Sequence, residues 1–303
     1  MPRFSIIMPC FNAADTLEDT LQSIALQTNT DWELICIDDW SSDCTPRILA
    51  RAAADPRVRV LINKGKGPSR ARNDGVAVAR GEIIAFCDAD DIWAHDKLER
   101  MAEVMDDGRF DGAYARVAFF RGSRSTSQST VTEEPLSVQV LMGENPVCTM
   151  SNLVVRRSAF QLTEGFDTTM VHNEDLEWLI RAVAKGLWIQ GIDETLVHYR
   201  TSVTGLSSDL QAMEEGRRKA LRTAAGFGYE PDPRAEAIHL RYLARRALRV
   251  GAPASEALRL AAAGIKESPR GFFSDLRRGS LTALGAVTAP LLPAPVRRAL
   301  FAS

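Results

Sequence analysis

Over its first 120 residues the chain alternates short apolar runs with segments of helical period, and this alternation limits its fold more than any other feature. Strand-length runs occur at Phe4-Ser5-Ile6-Ile7-Met8, Glu33-Leu34-Ile35-Cys36-Ile37, Val58-Arg59-Val60-Leu61-Ile62 and Glu82-Ile83-Ile84-Ala85-Phe86-Cys87. Between them Leu17, Leu21 and Ile24, and then Ile48, Leu49 and Ala52, recur at the spacing of one buried helix face. The pattern is that of βα units around a mostly parallel sheet flanked by helices, an α/β fold.

Local signals place the helix ends. Asp15-Thr16-Leu17-Glu18 reads as a capping box, and Thr45-Pro46 as an N-cap with proline at the first helical position. The loop Gly65-Lys66-Gly67-Pro68-Ser69 opens a helix that runs to about Arg80-Gly81, where the glycine suits the left-handed C′ position. Beyond Gly112 the alternation loosens into a strand to about Phe120, a polar stretch from Ser123 to Thr130 expected as a flexible loop, and a mixed region to about Arg200. Helical periods dominate from Ser207 onward, so residues 1–204 form the expected α/β domain and residues 205–303 a helical C-terminal region. There is no internal repeat.

Composition narrows the partners. With 45% hydrophobic and 25% charged residues and a net charge of -2, the chain has an ordinary globular composition and no electrostatic footprint for nucleic acid. Its five cysteines lack CxxC or Cys/His spacing, which argues against structural zinc or a disulfide framework. The amino terminus runs straight into a strand-like segment rather than a signal peptide. No run approaches the ~20 apolar residues of a spanning helix; the nearest candidate, Leu281 to Leu292, is interrupted by Pro290. A cytoplasmic location is expected.

In an open α/β sheet, ligands lie beyond the carboxyl ends of the strands. Three strands end there in polar chemistry: Pro9-Cys10-Phe11-Asn12, Asp38-Asp39-Trp40-Ser41-Ser42-Asp43 and Asp88-Ala89-Asp90-Asp91. One acidic strand end is most often a turn or cap, since Asp bonds its own following backbone; two on one sheet edge ask for more. Three carboxylates within four residues repel one another unless a cation neutralises them. Oxygen ligands suit magnesium or manganese, whose shell phosphate oxygens complete, so a diphosphate is the expected ligand. Arg70 and Arg72 stand near the start of the helix after the glycine-rich loop, a place that favours anions. In His172-Asn173-Glu174-Asp175 the acids begin a helix whose Leu176, Leu179, Ile180 and Val183 form an apolar stripe; plain N-capping explains them without further context.

Residues 3–202 resemble the family-2 inverting glycosyltransferases, which have the nucleotide-sugar-binding GT-A fold. The resemblance rests on the ordered set Ser5 to Asn12, Ile37 to Asp43, Ala71-Arg72-Asn73-Asp74-Gly75, Phe86 to Trp93, and Glu174-Asp175. It implies that Pro9, Phe11, Asp38 or Asp39, and Arg72 contact the base and ribose side of a nucleotide. Asp88 and Asp90 would be the DxD pair, with Asp90 the first choice for a manganese or magnesium ligand, and Asp175 the catalytic base. Gly165-Phe166-Asp167 resembles the short acceptor-side segment, with Glu164 where a second glycine is frequent. His198-Tyr199-Arg200 resembles a late segment in which His198 approaches the metal or diphosphate, although a partly buried, hydrogen-bonded histidine is an equally good reading. Direct displacement, with no carboxylate nucleophile, implies inversion. The absence of a QxxRW signature and of spanning helices favours a non-processive enzyme.

The expected partners are a nucleotide diphosphate-sugar, a UDP-sugar by preference, and an oligosaccharide or lipid-linked saccharide acceptor in surface polysaccharide assembly. The C-terminal region alternates arginine with Leu, Ala and Phe, as in Gly271 to Arg278. Its plainer reading is a solvated helical bundle. The sharper one is peripheral contact with anionic lipid at the inner face of the membrane. Two rivals stay open at this level: a magnesium-dependent phosphatase or nucleotidyltransferase, and a non-catalytic nucleotide-sugar-binding protein.

Overall fold

A computed structural model describes residues 1–122, 124–132, 134–201 and 209–292 of the chain. Four strands, β1 (Phe4–Cys10), β2 (Trp32–Asp38), β3 (Val58–Ile62) and β4 (Ile83–Phe86), lie parallel in the order β3-β2-β1-β4. β2 is buried along its whole length, and Ile6, Met8, Leu34 and Cys36 meet in one core, where each large apolar side chain contributes roughly 1.5–3 kcal/mol. The helices α1 (Leu17–Ala25), α2 (Thr45–Ala52) and α3 (Pro68–Ala77) connect them. Register pairs Cys10 with Asp38 and Ile7 with Phe86, so the segments after β1, β2 and β4 leave the same sheet edge.

Beyond β4 the chain forms β5 (Ile92–Trp93), α4 (Lys97–Asp106), β6 (Gly112–Arg121), β7 (Arg124–Gln128), α5 (Val138–Gly143), a 3-10 turn (Met150–Asn152), β8 (Val154–Arg156), α6 (Arg157–Leu162), α7 (Glu174–Ala184) and β9 (Ile189–Arg200). The sheet continues β4-β8-β6-β9-β5, with β7 beside β6. This half is mixed: β6 and β9 are parallel, whereas the β4–β8, β8–β6, β6–β7 and β5–β9 pairs are antiparallel. Among the described residues five more α-helices follow: α8 (Leu210–Gly226), α9 (Pro233–Val250), α10 (Ala254–Glu267), α11 (Pro269–Phe272) and α12 (Leu276–Thr288). Among the described residues, no helix is long and apolar enough to cross a membrane.

The chain divides into two units, one of residues 1–136 and 146–201 and one of residues 137–145 and 202–303. In the second, α5 lies against α9: a Cβ on Gly143 would be 3.4 Å from the Ala235 Cα, and Arg217 donates to the Met142 carbonyl at 3.0 Å. Leu243, Leu248, Leu260 and Phe272 build its apolar centre.

Four local expectations change. Helix α1 begins after Thr16 rather than Asp15, and no side chain caps it, because the Thr16 hydroxyl turns to the Ala89 carbonyl at 3.0 Å. The Thr45 hydroxyl likewise accepts the Ala13 N–H at 2.8 Å, leaving Cys44 as the residue before α2. Helix α3 ends at Ala77, and Gly81 is needed for close approach instead of a left-handed turn: a Cβ there would lie 2.6 Å from the Ser5 nitrogen. The polar stretch expected as a loop contains β7, an edge strand paired to β6 through a register shift at Phe119/Phe120; Ser123 lies outside the described residues.

Candidate active site

Helix α3 organises the sheet edge. Gly75 lets it press on the sheet, since a Cβ there would come within 2.6 Å of Ile7 and 2.7 Å of Ile37. From this helix Ser69 donates to the Met170 carbonyl at 2.8 Å, and Asn73 bonds both polar backbone groups of Phe166. Arg72 reaches furthest. One terminal nitrogen meets Asp88 Oδ1 at 2.7 Å and the other Glu174 Oε1 at 2.8 Å, while its guanidinium lies 5.7 Å from the Phe166 ring centre. Its side chain is only 6% exposed, and its Nε has no acceptor. The two ion pairs hold the guanidinium firmly charged despite the opposing effect of burial.

This bridge joins the acidic loop after β4 to the start of α7. Phe86, Phe160, Phe166 and Trp178 pack as one aromatic cluster behind it, with ring centres 5.3–5.8 Å apart. Trp178 donates to the Thr163 hydroxyl at 2.8 Å, and Arg181 to the Gly165 carbonyl at 2.8 Å. Asp175 follows Glu174 in the first turn of α7 and is half-buried. Burial first, and the adjacent Glu174 charge second, push its carboxyl up to about 7.

The acids after β4 have separate environments. Asp88 accepts from Arg72 and lies 3.2 Å from the Thr149 hydroxyl, and its backbone N–H donates to Ser151 Oγ at 2.8 Å. Asp91 is fully buried; it accepts the Arg200 N–H at 3.1 Å and lies 3.2 Å from the same Thr149 hydroxyl. Burial, then the charges of Asp90 and Asp88, raise it well above the usual carboxylate range. Asp90 has an exposed side chain that makes no ion pair or hydrogen bond with the side chain of another described residue. Surrounding protein, followed by the Asp88 charge, pushes its carboxyl up to about 6.

The nucleotide-side candidates divide in the same manner. Asp39 accepts from Asn63 Nδ2 at 2.5 Å through one oxygen and from the Gly67 N–H at 2.9 Å through the other, fixing the loop that opens α3. Among the described residues the Asp38 carboxylate accepts only a long 3.4 Å bond, from the Ser41 N–H on Oδ1. Pro9 is half-buried at the end of β1. Phe11 and Trp40 are 54% and 64% exposed at the same edge, the Trp40 indole donating to the Asn63 carbonyl at 3.1 Å. Trp40 (φ +63°) and Asn12 (φ +47°) hold left-handed backbone there, and Asn12 Oδ1 accepts the Ser42 N–H at 2.8 Å.

His198 stands on β9 opposite Ile92, two residues beyond Asp90, and strand alternation puts it on the face of Arg200. Burial lowers its pKa, which favours the neutral imidazole. Arg200 donates to the Asp90 carbonyl at 3.0 Å and pairs with Asp19 at 3.1 Å. Thr149 and Ser151 went unnoticed in the sequence, where nothing marks them; their acidic-loop partners are about 60 positions away.

Among the described residues no three His, Cys, Asp or Glu side chains converge to chelate an ion by protein alone. The donor set nonetheless fits a hard cation: Asp88 and Asp90 offer carboxylate oxygens at one edge, Asp90 making no ion pair among the described residues, and phosphate oxygens would complete such a shell.

Comparison with known proteins identifies the family and the fold. Residues 5–163 match the family model described as Glycosyl transferase family 2. The chain is 31% identical over 208 residues to the UDP-Glc:alpha-D-GlcNAc-diphosphoundecaprenol beta-1,3-glucosyltransferase WfgD of Escherichia coli, covering 68% of this chain and 79% of that one. Its fold is similar to S. aureus TarS 1-349 in complex with UDP-GlcNAc (TM-score 0.64, 18% identity, 94% and 89% of the two chains). It is also similar to the mannosyltransferase PcManGT from Pyrobaculum calidifontis in complex with GDP-Man and Mn2+ (TM-score 0.62, 20% identity, 99% and 84%). The acidic strand ends and the family match together lead to one conclusion: the chain belongs to glycosyl transferase family 2 and is a glycosyltransferase of GT-A fold.

Proposed function

We propose that the protein is a non-processive, inverting glycosyltransferase that moves a sugar from a nucleotide diphosphate-sugar, a UDP-sugar by preference, to an oligosaccharide or lipid-linked saccharide in surface polysaccharide assembly. The observation that carries this reading is the Arg72 bridge, which joins the acidic loop of Asp88 and Asp90 to the helix start that bears Asp175. UDP and a diphosphate-linked lipid acceptor are favoured because WfgD is named for both and TarS was solved with UDP-GlcNAc.

In this reading Phe11 and Trp40 give the base an apolar surface, and Asp38, with an oxygen uncommitted, accepts from the nucleoside. Asp88, Asp90 and His198 would hold manganese or magnesium, which supplies Lewis-acid stabilisation of the departing diphosphate. Asp175 takes the proton of the acceptor hydroxyl as that oxygen attacks the anomeric carbon and the bond to the diphosphate breaks, which inverts the centre. Its raised affinity for protons makes it a stronger base than an exposed aspartate. Exposed Leu281, Leu284 and Val287 on α12 support peripheral contact at the inner face of the membrane, with the protein otherwise cytoplasmic.

A nucleotide-sugar panel read by thermal shift, with and without manganese, tests the donor site. The expected result is a metal-dependent rise with one nucleotide class that disappears in Asp90→Asn. Release of free phosphate from the donor without sugar transfer would overturn the proposal.

A further inference from the structure

Helix α9 carries arginines at positions 241, 245 and 249, a spacing that lines one helix face over about 12 Å. Like charges four residues apart weaken a helix, so such a row needs compensation. At one end the compensation is complete. Arg241 and Arg278 of α12 share Glu144, at 3.4 and 3.2 Å, and Arg278 also pairs with Asp275 at 3.2 Å. Arg241 donates as well to the Phe272 carbonyl at 3.0 Å and to Ser274 Oγ at 3.1 Å. The only acid on α9, Glu236, is engaged by Arg217 at 2.8 Å.

Arg245 and Arg249 are therefore left over. Both are half-buried, and neither forms an ion pair or hydrogen bond with a described residue. Burial, then the nearby positive charge of Arg278 and Arg241, lowers the pKa of Arg245 even though Glu144 and Asp275 oppose the effect. Burial and then Arg245, Arg246 and Arg278 push Arg249 down to about 10. Guanidinium forks match phosphate oxygens in pairs, and a phosphate would relieve both the unpaired donors and the crowded charge.

We infer that Arg245 and Arg249, flanked by Arg246 and Arg278, form a binding site for a phosphate-bearing anion in the helical unit. The phosphate comes either from an anionic phospholipid headgroup or from a soluble diphosphate. This site does not depend on the reading of Asp88, Asp90 or Asp175.

The test uses the full chain in EDTA, which keeps a metal-dependent donor site from responding. One arm measures the thermal shift with inorganic diphosphate. The other measures flotation with phosphatidylcholine vesicles, with and without phosphatidylglycerol. Wild type should respond to diphosphate, to the anionic vesicles, or to both, and the responding arm identifies the source. In Arg245→Gln/Arg249→Gln the response should fall at least about tenfold, as expected for losing charge-assisted bonds. The unliganded variant should melt no lower than wild type, because repulsion has been removed. Arg245→Lys/Arg249→Lys keeps the charge and loses the fork, so it should bind more weakly without any change in fold. A wild type that responds to neither probe, or a glutamine variant that responds as wild type does, overturns the inference.

Discussion

Asn73 and Phe166, 93 residues apart, exchange a reciprocal pair of hydrogen bonds: the Asn73 amide donates to the Phe166 carbonyl at 2.8 Å and accepts the Phe166 N–H at 2.9 Å. A side-chain amide thus does the work of a strand neighbour and pins a turn whose Glu164 and Gly165 are left-handed, with φ of +62° and +76°. A Cβ on Gly165 would lie 2.6 Å from Asn73 Oδ1. Gly165→Ala should destabilise the protein by more than about 1 kcal/mol, seen as a lower urea midpoint. Glu164→Gly should raise that midpoint, with a stability gain of up to about 1 kcal/mol, the left-handed strain relieved exceeding the entropy lost.

Among the described residues, Arg72 alone forms ion pairs with Asp88 and with Glu174. Arg72→Gln leaves two poorly solvated carboxylates facing each other and should cost about 3–5 kcal/mol, the range for breaking a buried pair. Thermal denaturation gives the stability change. Donor titration should show weakened binding as well, since Asp88 loses its fixed position.

The adjacent acids after β2 should separate by phenotype. Asp39 commits both oxygens to Asn63 and Gly67, whereas Asp38 has one left over. Asp39→Asn is expected to lower the melting temperature, because a carboxylate oxygen that receives the Gly67 N–H or the Asn63 amide becomes an NH2 group. Asp38→Asn should leave the melting temperature nearly unchanged and raise KM for the donor about tenfold, the worth of one hydrogen bond to a charged group. Steady-state kinetics beside a melting curve for each variant decides the matter.

The pH dependence follows from Asp175. A base works when ionised, so kcat/KM should rise with pH up to about 7 and then level off. Stability runs the opposite way. The folded carboxyl holds its proton up to about 7 against 3.8 when exposed, so the folded state binds more protons across that window and loses stability as pH climbs through it. Asp175→Asn removes this loss. The variant should match wild type near pH 4 and melt higher than wild type at pH 8, while kcat falls by ~10²–10⁴. Unchanged activity in the variant would remove Asp175 from the role of base.

Much of the fold was readable because the inner strands are apolar runs, and burial on both faces leaves that signature in β1, β2 and β4. The shared edge of their carboxyl ends followed from the βα alternation. Helix starts were harder: Thr16 and Thr45 look like caps, yet their hydroxyls serve loops far away in sequence. β7 was missed because a polar edge strand has no buried face to give it a period. Arg72 stood out as a basic residue near a helix start, but its two acidic partners lie 16 and 102 positions away, a relation that only the folded chain reveals.

Residues 137–145 carry a further consequence, one of timing. Helix α5 finds its partners in α9, whose first residue is made 90 positions after Gly143. At synthesis rates of roughly 5–20 residues per second, the apolar side chains Val138, Leu141 and Met142 wait on the order of 5–20 s for cover. A gene shortened to end at codon 201 would leave that wait without end, so the sheet unit cannot be isolated by removing the tail alone. A faithful excision would also replace or polarise this nine-residue excursion.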